Sequence, residues 1–324
     1  MFVIGSKLLE VKGLKAYYKL GASIKVRAVD GVSFSIQRNE IFGIAGESGC
    51  GKSTLALAIL RLLRPPGYVE DGEVLFKGLD LLKLDEEELR KIRWRYLSYI
   101  PQGSMNSLNP TMRIKEQIID AIKEHLSEVD KIELEENVQN LLLSVGLSPR
   151  VSDMYPHELS GGMKQRVVIA MAIALRPELI IADEPTTALD VVMQRGIIQL
   201  LSDIRKKYGT SLILITHDMA VHAEIVDRMA IMYAGKIVEI GDVISIFKNP
   251  LHPYTQALIG SVPHLGEKRR LIGIKGLPPD LKDPPPGCRF HPRCPYSKEK
   301  CHKHEPPLIE AGKGRYVACF LYGD

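Results

Sequence analysis

A glycine-rich segment that ends in lysine and serine carries the clearest chemistry in this sequence. Residues 46–53 read GESGCGKS and satisfy every fixed position of G-x-x-x-x-G-K-S/T. Glycines let backbone N–H groups turn toward phosphate oxygens, and a helix starting near Lys52 would add its N-terminal dipole. We expect Lys52 to reach the β- and γ-phosphates of a nucleotide and Ser53 to offer its hydroxyl to Mg²⁺. The residues expected to contact the nucleotide here are Gly46, Glu47, Ser48, Gly49, Cys50, Gly51, Lys52, Ser53 and Thr54.

A second segment, further along the chain, ends in two carboxylates. Residues 179–184 read LIIADE, a buried-strand pattern followed by Asp183 and Glu184. We expect Asp183 to hold the Mg²⁺ shell and Glu184 to polarise the attacking water. Alone, an apolar strand that ends in acidic residues is a weak signal, because many strands end this way where they meet solvent. Combined with the phosphate loop, it predicts a site that hydrolyses a nucleotide.

The phosphate loop needs a strand before it and a helix after it, and the sequence predicts both. Ile41–Ala45 is a short apolar run typical of a buried strand. Ser53–Leu63 has helical composition and is followed by a pair of prolines. Leu8–Tyr18 and Val32–Ile36 alternate polar with apolar residues, which indicates half-buried strands.

The middle of the chain has a different character. Charged, helix-forming stretches at Glu86–Arg95 and Ile114–Val145 predict a helical insertion, at about residues 103–175, in an α/β core. Strand character returns in three later segments, Leu179–Ala182, Ser211–Thr216 and Arg228–Ile240. The last of these predicts a hairpin that turns at Ala234 and Gly235. We find no internal repeat, so we expect one nucleotide domain in the chain.

Composition and charge narrow the class of protein. Of the 324 residues, 45% are hydrophobic and 25% are charged, which is ordinary for a globular protein, and the net charge of +4 gives no reason to expect a nucleic-acid partner. The longest apolar run, Val167–Leu175, is far short of the ~20 residues that a membrane-spanning helix needs. The first ten residues, MFVIGSKLLE, lack the apolar core of a signal peptide. We therefore expect a chain that is not exported and that would act on a membrane only through partners.

A third segment points to a particular family. Residues 159–166 read LSGGMKQR, and with this signature the chain resembles the ABC-transporter ATPases. Physically the segment predicts an anion site, because Ser160 can cap the following helix while Gly161 and Gly162 expose backbone donors. The resemblance implies that this site faces the γ-phosphate bound on another ATPase subunit. Two chains would then pair head to tail, with ATP between them.

Four further residues match positions of the family pattern. Tyr18 suits the aromatic residue that stacks on adenine, although Tyr17 competes for this role. Gln102, in YIPQ, suits the glutamine that touches Mg²⁺ and senses the membrane partner. Asp190, in TALD, suits the loop that crosses the dimer. His217, in LITHD, suits the histidine that contacts the γ-phosphate. The resemblance thus implies catalytic roles for Lys52, Gln102, Glu184 and His217.

The resemblance narrows to the oligopeptide/dipeptide importers. It rests on QGSMNSLNP at 102–110, TTALD at 186–190 and HPYT at 252–255, with GGM at 161–163 typical of the first of two ATPases. This implies a heterodimer with a second ATPase, two membrane permeases, an extracellular substrate-binding protein, and a peripheral position on the cytoplasmic face of the membrane. Similar machinery imports oligosaccharides, which is the first alternative. The second is a soluble ABC ATPase, although the coiled-coil insertions or paired nucleotide domains of that class are absent from the sequence.

The C-terminal part of the chain is rich in cysteine. Its cysteines are Cys288, Cys294, Cys301 and Cys319, and no two have the C-x2-C spacing of zinc ribbons or ferredoxins. Four thiolates suit either tetrahedral Zn²⁺ or an iron–sulfur cluster. Three nearby histidines, His291, His302 and His304, keep mixed zinc ligation open. The family resemblance favours a 4Fe-4S cluster, with zinc as the alternative.

These observations predict a two-domain organisation. We expect an α/β P-loop NTPase domain of ABC type over residues 1–258, with the antiparallel β subdomain and helical insertion that the resemblance implies. Residues 259–324 are expected to form a small, irregular domain that a metal centre holds together, because residues 278–307 are rich in Pro and Cys and lack periodicity. Cys50, inside the phosphate loop, has two interpretations: a small residue where serine would fit, or a reactive thiol whose pKa the helix N-terminus lowers.

Overall fold

The structure of the chain is a computed structural model that describes residues 7–21, 24–126, 130–261 and 273–323. Its strands are β1 (Lys7–Leu20), β2 (Ile24–Gln37), β3 (Ile41–Ala45), β4 (Gly67–Phe76), β5 (Leu79–Asp80), β6 (Leu97–Ile100), β7 (Leu179–Asp183), β8 (Ser211–Ile215), β9 (Arg228–Tyr233), β10 (Lys236–Asp242), β11 (Ile309–Glu310) and β12 (Tyr316–Val317). Its helices are α1 (Lys52–Ile59), α2 (Glu86–Ile92), α3 (Ile114–Lys123), α4 (Lys131–Ser144), α5 (Gly161–Ile173), α6 (Val191–Tyr208), α7 (Met219–Ile225), α8 (Val243–Lys248), α9 (Pro253–Gly260) and α10 (Glu299–Lys303). The N-terminal residues 1–6 and part of the predicted tail domain, residues 262–272, lie outside the described residues.

The chain divides into two compact units. The first contains the described residues up to Lys83 and those from Leu214 onward, and the second contains Leu84–Ile213. No helix in the described ranges is both long and apolar enough to cross a bilayer.

The first unit holds an antiparallel sheet in the order β2-β1-β4-β5. In it Leu9 lies opposite Phe76, and Val11 lies opposite both Phe34 and Val74. The alternation of buried and exposed residues in β1 and β2 follows the polar–apolar pattern of the sequence. The antiparallel β subdomain and its two predicted strands are therefore present.

A mixed sheet in the same unit contains the strand that leads into the phosphate loop. Strand β3 pairs in parallel with β9, so that Ile44 lies opposite Ala230, and every residue of β3 is buried. Strands β9 and β10 form the predicted hairpin. Ala234 and Gly235 both have positive φ, 47° and 83°, as a two-residue hairpin turn with matching twist requires.

The cysteine-rich tail does not fold as the sequence predicts. We expected a segment without a core of its own, but β12 adds to the edge of this mixed sheet, with Val317 opposite Glu239. Phe290 and Val317 are almost completely buried, and the Phe290 ring lies among those of Tyr233, Tyr254 and His252. The tail is thus stabilised by apolar residues that earlier parts of the unit contribute. The expectation that the tail lacks apolar support is therefore wrong.

The second unit combines two parallel strands with helices. Strands β6 and β7 run parallel, with Leu97 opposite Leu179 and Ile100 opposite Ala182. Helices α3, α4 and α5 lie in the predicted insertion. The stretch that was predicted as one helical region forms two helices: α3 ends at Lys123 and α4 begins at Lys131. Helix α1 is likewise shorter than predicted: it ends at Ile59, because Arg61 takes a positive φ of 51° and breaks the helical path.

Candidate functional site

The phosphate loop connects a fully buried strand to a helix, as its sequence predicts. Two of its glycines are required by close packing: a Cβ on Gly46 would overlap the carbonyl oxygen of Met232, and one on Gly51 would overlap that of Ala28. Ser48 and Gly49, at the tip of the loop, are exposed. Helix α1 begins at Lys52, directly after the loop, and its N-terminal dipole therefore points at the space that the loop encloses.

Lys52 lies across the loop that it ends. Its Nζ donates hydrogen bonds to the carbonyl oxygens of Gly46, at 2.8 Å, and Glu47, at 3.0 Å. The residue is only 7% exposed, so its charge is held inside the loop and not in bulk solvent. An ammonium group in this position is already where an incoming phosphate would need a counter-charge.

Cys50 is structural in this loop. The residue is 5% exposed, and burial raises the pKa of its thiol, an effect that the nearby Lys52 ammonium only partly offsets. A thiol with a raised pKa is protonated at neutral pH and is a poor nucleophile. The interpretation of Cys50 as a reactive thiol is therefore wrong, and the small-residue interpretation fits.

The two neighbouring tyrosines of β1 have different surroundings. Tyr17 is buried, and its hydroxyl donates a hydrogen bond of 2.6 Å to Asp30. Tyr18 is half-buried, and its hydroxyl lies 3.2 Å from the Thr54 hydroxyl at the start of α1. The geometry thus places Tyr18, and not Tyr17, beside the phosphate-loop helix.

His217 follows β8 in the first unit. The Thr216 N–H donates to the carbonyl oxygen of Ile44 in β3, so the end of β8 lies beside the strand that leads into the phosphate loop. The side chain of His217 is exposed, while His222 is buried and bonded to the Thr216 carbonyl oxygen. The histidine that the motif identifies is therefore the accessible one of the two.

The second unit contains the two carboxylates. Asp183, at the end of β7, is fully buried and accepts a 3.2 Å hydrogen bond from the hydroxyl of Tyr99 on β6. Burial and the neighbouring Asp183 together raise the pKa of Tyr99, which keeps its hydroxyl protonated as a donor. Glu184 is half-buried and has a φ of 49°, a left-handed value that residues other than glycine rarely adopt. Such backbone strain concentrates at functional sites.

The signature segment forms the predicted helix cap. Ser160 precedes α5, and its Oγ accepts a 3.3 Å hydrogen bond from the Met163 N–H. Gly161 is exposed, whereas Gly162 is packed so closely against the Met193 side chain that a Cβ would overlap it. Asp190 caps α6 in the same way, by accepting a 2.9 Å bond from the Met193 N–H. Met193 thus joins the two caps.

A buried contact links the segment after β6 to the signature helix. Gln102 is exposed, and two residues later the buried Ser104 donates a 2.5 Å hydrogen bond to the side-chain oxygen of Gln165. Gln165 belongs to the signature and is 2% exposed. No sequence motif singles out Ser104, Gln165 or Tyr99, because the partner of each is distant in sequence.

The four tail cysteines, all free, line one small cavity. His252, Phe290 and His291 line it as well. Burial and the neighbouring thiols raise the pKa of Cys288 to about 11, and burial also raises the pKa values of Cys294 and Cys319. Nevertheless, no group of three or more potential ligands within the described ranges converges on a point where one metal ion would fit. A single tetrahedral zinc would need neighbouring sulfurs about 3.8 Å apart, given zinc–sulfur bonds of about 2.3 Å.

Together, the phosphate loop, the acidic strand end and the capped glycine helix define a P-loop ATPase of the ABC class. A family model described as ABC transporter matches residues 29–187, and one described as oligopeptide/dipeptide transporter, C-terminal region, matches residues 238–301. The chain belongs to the ABC transporter family and is an ATP-hydrolysing member of it. The boundary between domains at residues 258 and 259 stays a prediction.

The curated relatives align over nearly the whole chain. The dipeptide transport ATP-binding protein DppD of Caldanaerobacter subterraneus is 46% identical and covers 98% of each chain. The oligopeptide transport ATP-binding protein OppD of Bacillus subtilis is 45% identical over 98% of this chain and 89% of its own, and the DppD protein of Escherichia coli is 45% identical over 96% of each. Among solved structures, a dimeric ATP-binding cassette in a post-hydrolysis state with ADP and phosphate is 30% identical, with a TM-score of 0.65 over 72% of this chain and 98% of its own.

Proposed function

We propose that this chain hydrolyses ATP to energise the import of dipeptides or oligopeptides through partner permeases. The observation that carries the proposal is an intact phosphate loop in a chain whose C-terminal region matches that of peptide transporters over residues 238–301. Relatives at 45–46% identity named for dipeptide or oligopeptide transport support peptides over the alternative of oligosaccharides. A transporter family model supports a transport role over a soluble ATPase.

In the proposed reaction, three side chains act on ATP. Lys52 leaves its loop carbonyl partners and binds the β- and γ-phosphates, where it offsets their charge. Glu184 accepts a proton from the attacking water while the water oxygen bonds to the γ-phosphorus and the bond to the bridging oxygen breaks. His217 contacts the γ-phosphate as it separates. The products are ADP and inorganic phosphate.

Mg²⁺ is the metal that this chemistry implies. Ser53, Gln102 and Asp183 supply a hydroxyl, a carboxamide and a carboxylate, and such oxygen donors suit Mg²⁺. Asp183, at the end of β7, would contribute its buried carboxylate as one of these oxygen donors. When bound, Mg²⁺ neutralises phosphate charge.

The signature segment is proposed to act on ATP bound to a second chain. The capped, glycine-containing start of α5 presents Ser160 and Gly161 at an exposed helix N-terminus, which favours an anion. Gly162, packed on Met193, and Asp190 hold the neighbouring backbone. Tyr18, beside Thr54, is proposed to stack on the adenine.

The family of the chain supports its proposed partners. We propose a heterodimer with a second, similar ATPase, docked on two permeases and supplied by an extracellular substrate-binding protein. The chain would then be peripheral to the membrane, on its cytoplasmic face.

For the tail we propose a 4Fe-4S cluster, with zinc as the alternative. The support for this proposal is that all four cysteines line one cavity, together with the family resemblance of the cysteine-rich tail. Cys288, Cys294, Cys301 and Cys319 would hold it. The group would bind these cysteines as thiolates, so its loading would release protons.

The test is reconstitution. The chain, the second ATPase and both permeases are placed in proteoliposomes with the binding protein, and ATP hydrolysis is measured with peptide and with oligosaccharide. We expect hydrolysis to rise with peptides of two to several residues and not with oligosaccharides. Stimulation by oligosaccharide alone would overturn the substrate class, and the absence of hydrolysis under every condition would overturn the ATPase role.

A further inference from the structure

An arginine of the cysteine-rich tail is bonded to the phosphate loop. The guanidinium of Arg293 donates to both carboxylate oxygens of Glu47, at 2.7 and 3.0 Å. Only 5% of the Arg293 side chain and 23% of the Glu47 side chain are exposed. A forked pair of this kind fixes direction as well as distance, since the planar guanidinium matches the planar carboxylate.

The remaining donors of Arg293 hold it in place. Its Nε donates to the carbonyl oxygen of Lys275 at 2.9 Å, and one terminal nitrogen also reaches that of Gly276 at 3.2 Å. The other terminal nitrogen lies 3.3 Å from the hydroxyl of the buried Tyr233. These hydrogen bonds fix the Arg293 side chain between the tail and the phosphate loop.

Glu47 is held from its backbone too. Its N–H donates a 2.9 Å hydrogen bond to the hydroxyl of Tyr254, and its carbonyl oxygen accepts from Lys52. Its side chain carries a negative charge in the loop that must receive the polyanionic end of ATP. Arg293 cancels this charge, and without it the carboxylate would repel the phosphates.

The cavity lined by the four tail cysteines lies next to Arg293. Arg293 ends a short 3₁₀ turn, His291–Arg293, and is followed at once by Cys294. His291 and Cys294 both line the cavity, and the His291 N–H donates to the Cys288 carbonyl oxygen at 2.9 Å. Movement of Cys294 therefore moves the backbone that carries Arg293.

We propose that Arg293 is a positioning residue of the phosphate loop, through which the state of the cysteine cavity sets the affinity for ATP. The proposal rests on the ATPase function and on the cysteine-bound group proposed above. When the four thiols hold their group, the 3₁₀ turn is fixed and Glu47 is neutralised. When the group is lost, the turn loosens, Glu47 is left unpaired, and ATP binds more weakly.

The first test compares nucleotide affinity among charge variants, with a fluorescent ATP analogue and the protein as isolated. We expect Arg293→Gln to weaken binding about tenfold, equal to about 1.4 kcal/mol, with a loss that shrinks at high salt. Glu47→Gln in the same background should recover most of the affinity, because no charge is then left unpaired. Arg293→Lys keeps the positive charge but cannot form the forked pair. Its affinity for the analogue should lie between those of the wild type and Arg293→Gln.

The matched control is Arg315→Gln. Arg315 also anchors the tail, by a 3.0 Å bond to the buried Glu239 of β10, but it does not contact the phosphate loop. Equal losses in Arg315→Gln and Arg293→Gln would overturn the proposal, since loosening the tail would then be the whole effect. Unchanged affinity in Arg293→Gln would also overturn it. A wild-type chain that fails to bind the analogue would instead overturn the proposed function.

The second test uses reciprocity between the two sites. If the cavity sets ATP affinity, bound nucleotide must stabilise the cavity by the same factor. We expect a non-hydrolysable ATP analogue to slow the reaction of the four tail cysteines with a thiol reagent. Peptide mass spectrometry measures the extent of labelling at each cysteine. Arg293→Gln should abolish this protection, and Arg315→Gln should keep it. Protection that persists in Arg293→Gln would show that the coupling does not run through Arg293.

Discussion

The hydroxyl of Ser104 donates a hydrogen bond of 2.5 Å to the side-chain oxygen of Gln165. Both residues are nearly inaccessible, at 3% and 2% exposure. Ser104 lies two residues after Gln102, and Gln165 lies in the signature segment, so the bond joins two segments to which we assign separate tasks. The side-chain nitrogen of Gln165 has no partner among the described residues, so this bond is the one that satisfies the buried amide.

Ser104→Ala should therefore destabilise the protein. It leaves a buried carbonyl oxygen without its donor, at a cost of about 1–3 kcal/mol in the free energy of unfolding. Urea denaturation measures this loss. Adding Gln165→Leu should restore much of the stability, because both polar partners are then gone. Ser107→Ala is the control, because it removes a hydroxyl that donates to the Ser104 carbonyl oxygen at 2.5 Å but leaves the Gln165 side-chain oxygen its donor. A loss equal to that of Ser104→Ala would contradict the assignment.

Glu184→Gln tests the catalytic base. The variant should hydrolyse ATP ~10²–10⁴-fold more slowly, because an amide cannot accept the proton of the attacking water. ATP binding should survive, since the phosphate loop is unchanged. Steady-state phosphate release and nucleotide binding are measured on the same preparation. Thr187→Ala, which removes the hydroxyl that donates to Glu184 at 3.2 Å, should cost far less. Hydrolysis at the wild-type rate in Glu184→Gln would show that another residue is the base.

Pairing with a second ATPase is tested by co-expression. In the Glu184→Gln background, ATP should trap a heterodimer that elutes as one species in size-exclusion chromatography. Ser160→Arg should prevent its formation, because a bulky side chain replaces the cap at the exposed start of α5. Ser148→Arg is the control, because Ser148 caps the 3₁₀ turn Pro149–Asp153 in the same unit. A tight homodimer that ignores the partner would count against heterodimer formation.

The metal centre of the tail is tested by analysis of anaerobically purified protein. We expect a brown preparation with about four irons per chain, as four cysteine ligands of a 4Fe-4S cluster imply. Cys294→Ser should lose the iron and expose the tail to protease beyond Pro278, whereas Cys50→Ser should keep it, because Cys50 lies in the phosphate loop. Stoichiometric zinc without iron would establish the alternative, and a protein with neither metal would refute a metal centre.

The phosphate loop and its flanking elements could be predicted because their signals are local. Ile41–Ala45 has the predicted bounds, and the hairpin turns at Ala234 and Gly235, where the sequence places a glycine that takes positive φ without strain. The Ser160 cap was likewise readable, since a cap bonds to a residue three positions away. In each case the residues that determine the conformation are neighbours in sequence.

The packing of the tail could not be predicted, because it depends on residues that are distant in sequence. Its lack of periodicity suggested a segment without apolar support, yet Phe290 and Val317 are buried against residues at least 35 positions earlier in the chain. Helix α1 ends early because of a backbone value at Arg61 that composition does not reveal. The pairing of Arg293 with Glu47 has no local signal at all, because each residue alone resembles an ordinary surface charge.

That pairing also has a consequence for the order in which the protein is made. Glu47 and Arg293 are 246 residues apart, so at about 5–20 residues per second a ribosome needs roughly 12–50 s to add the second after the first. Throughout that interval the phosphate loop exists without the Arg293–Glu47 pair. A chain released before residue 293 would carry every nucleotide motif and still lack this pair. The presence of the pair therefore distinguishes a finished subunit from a fragment.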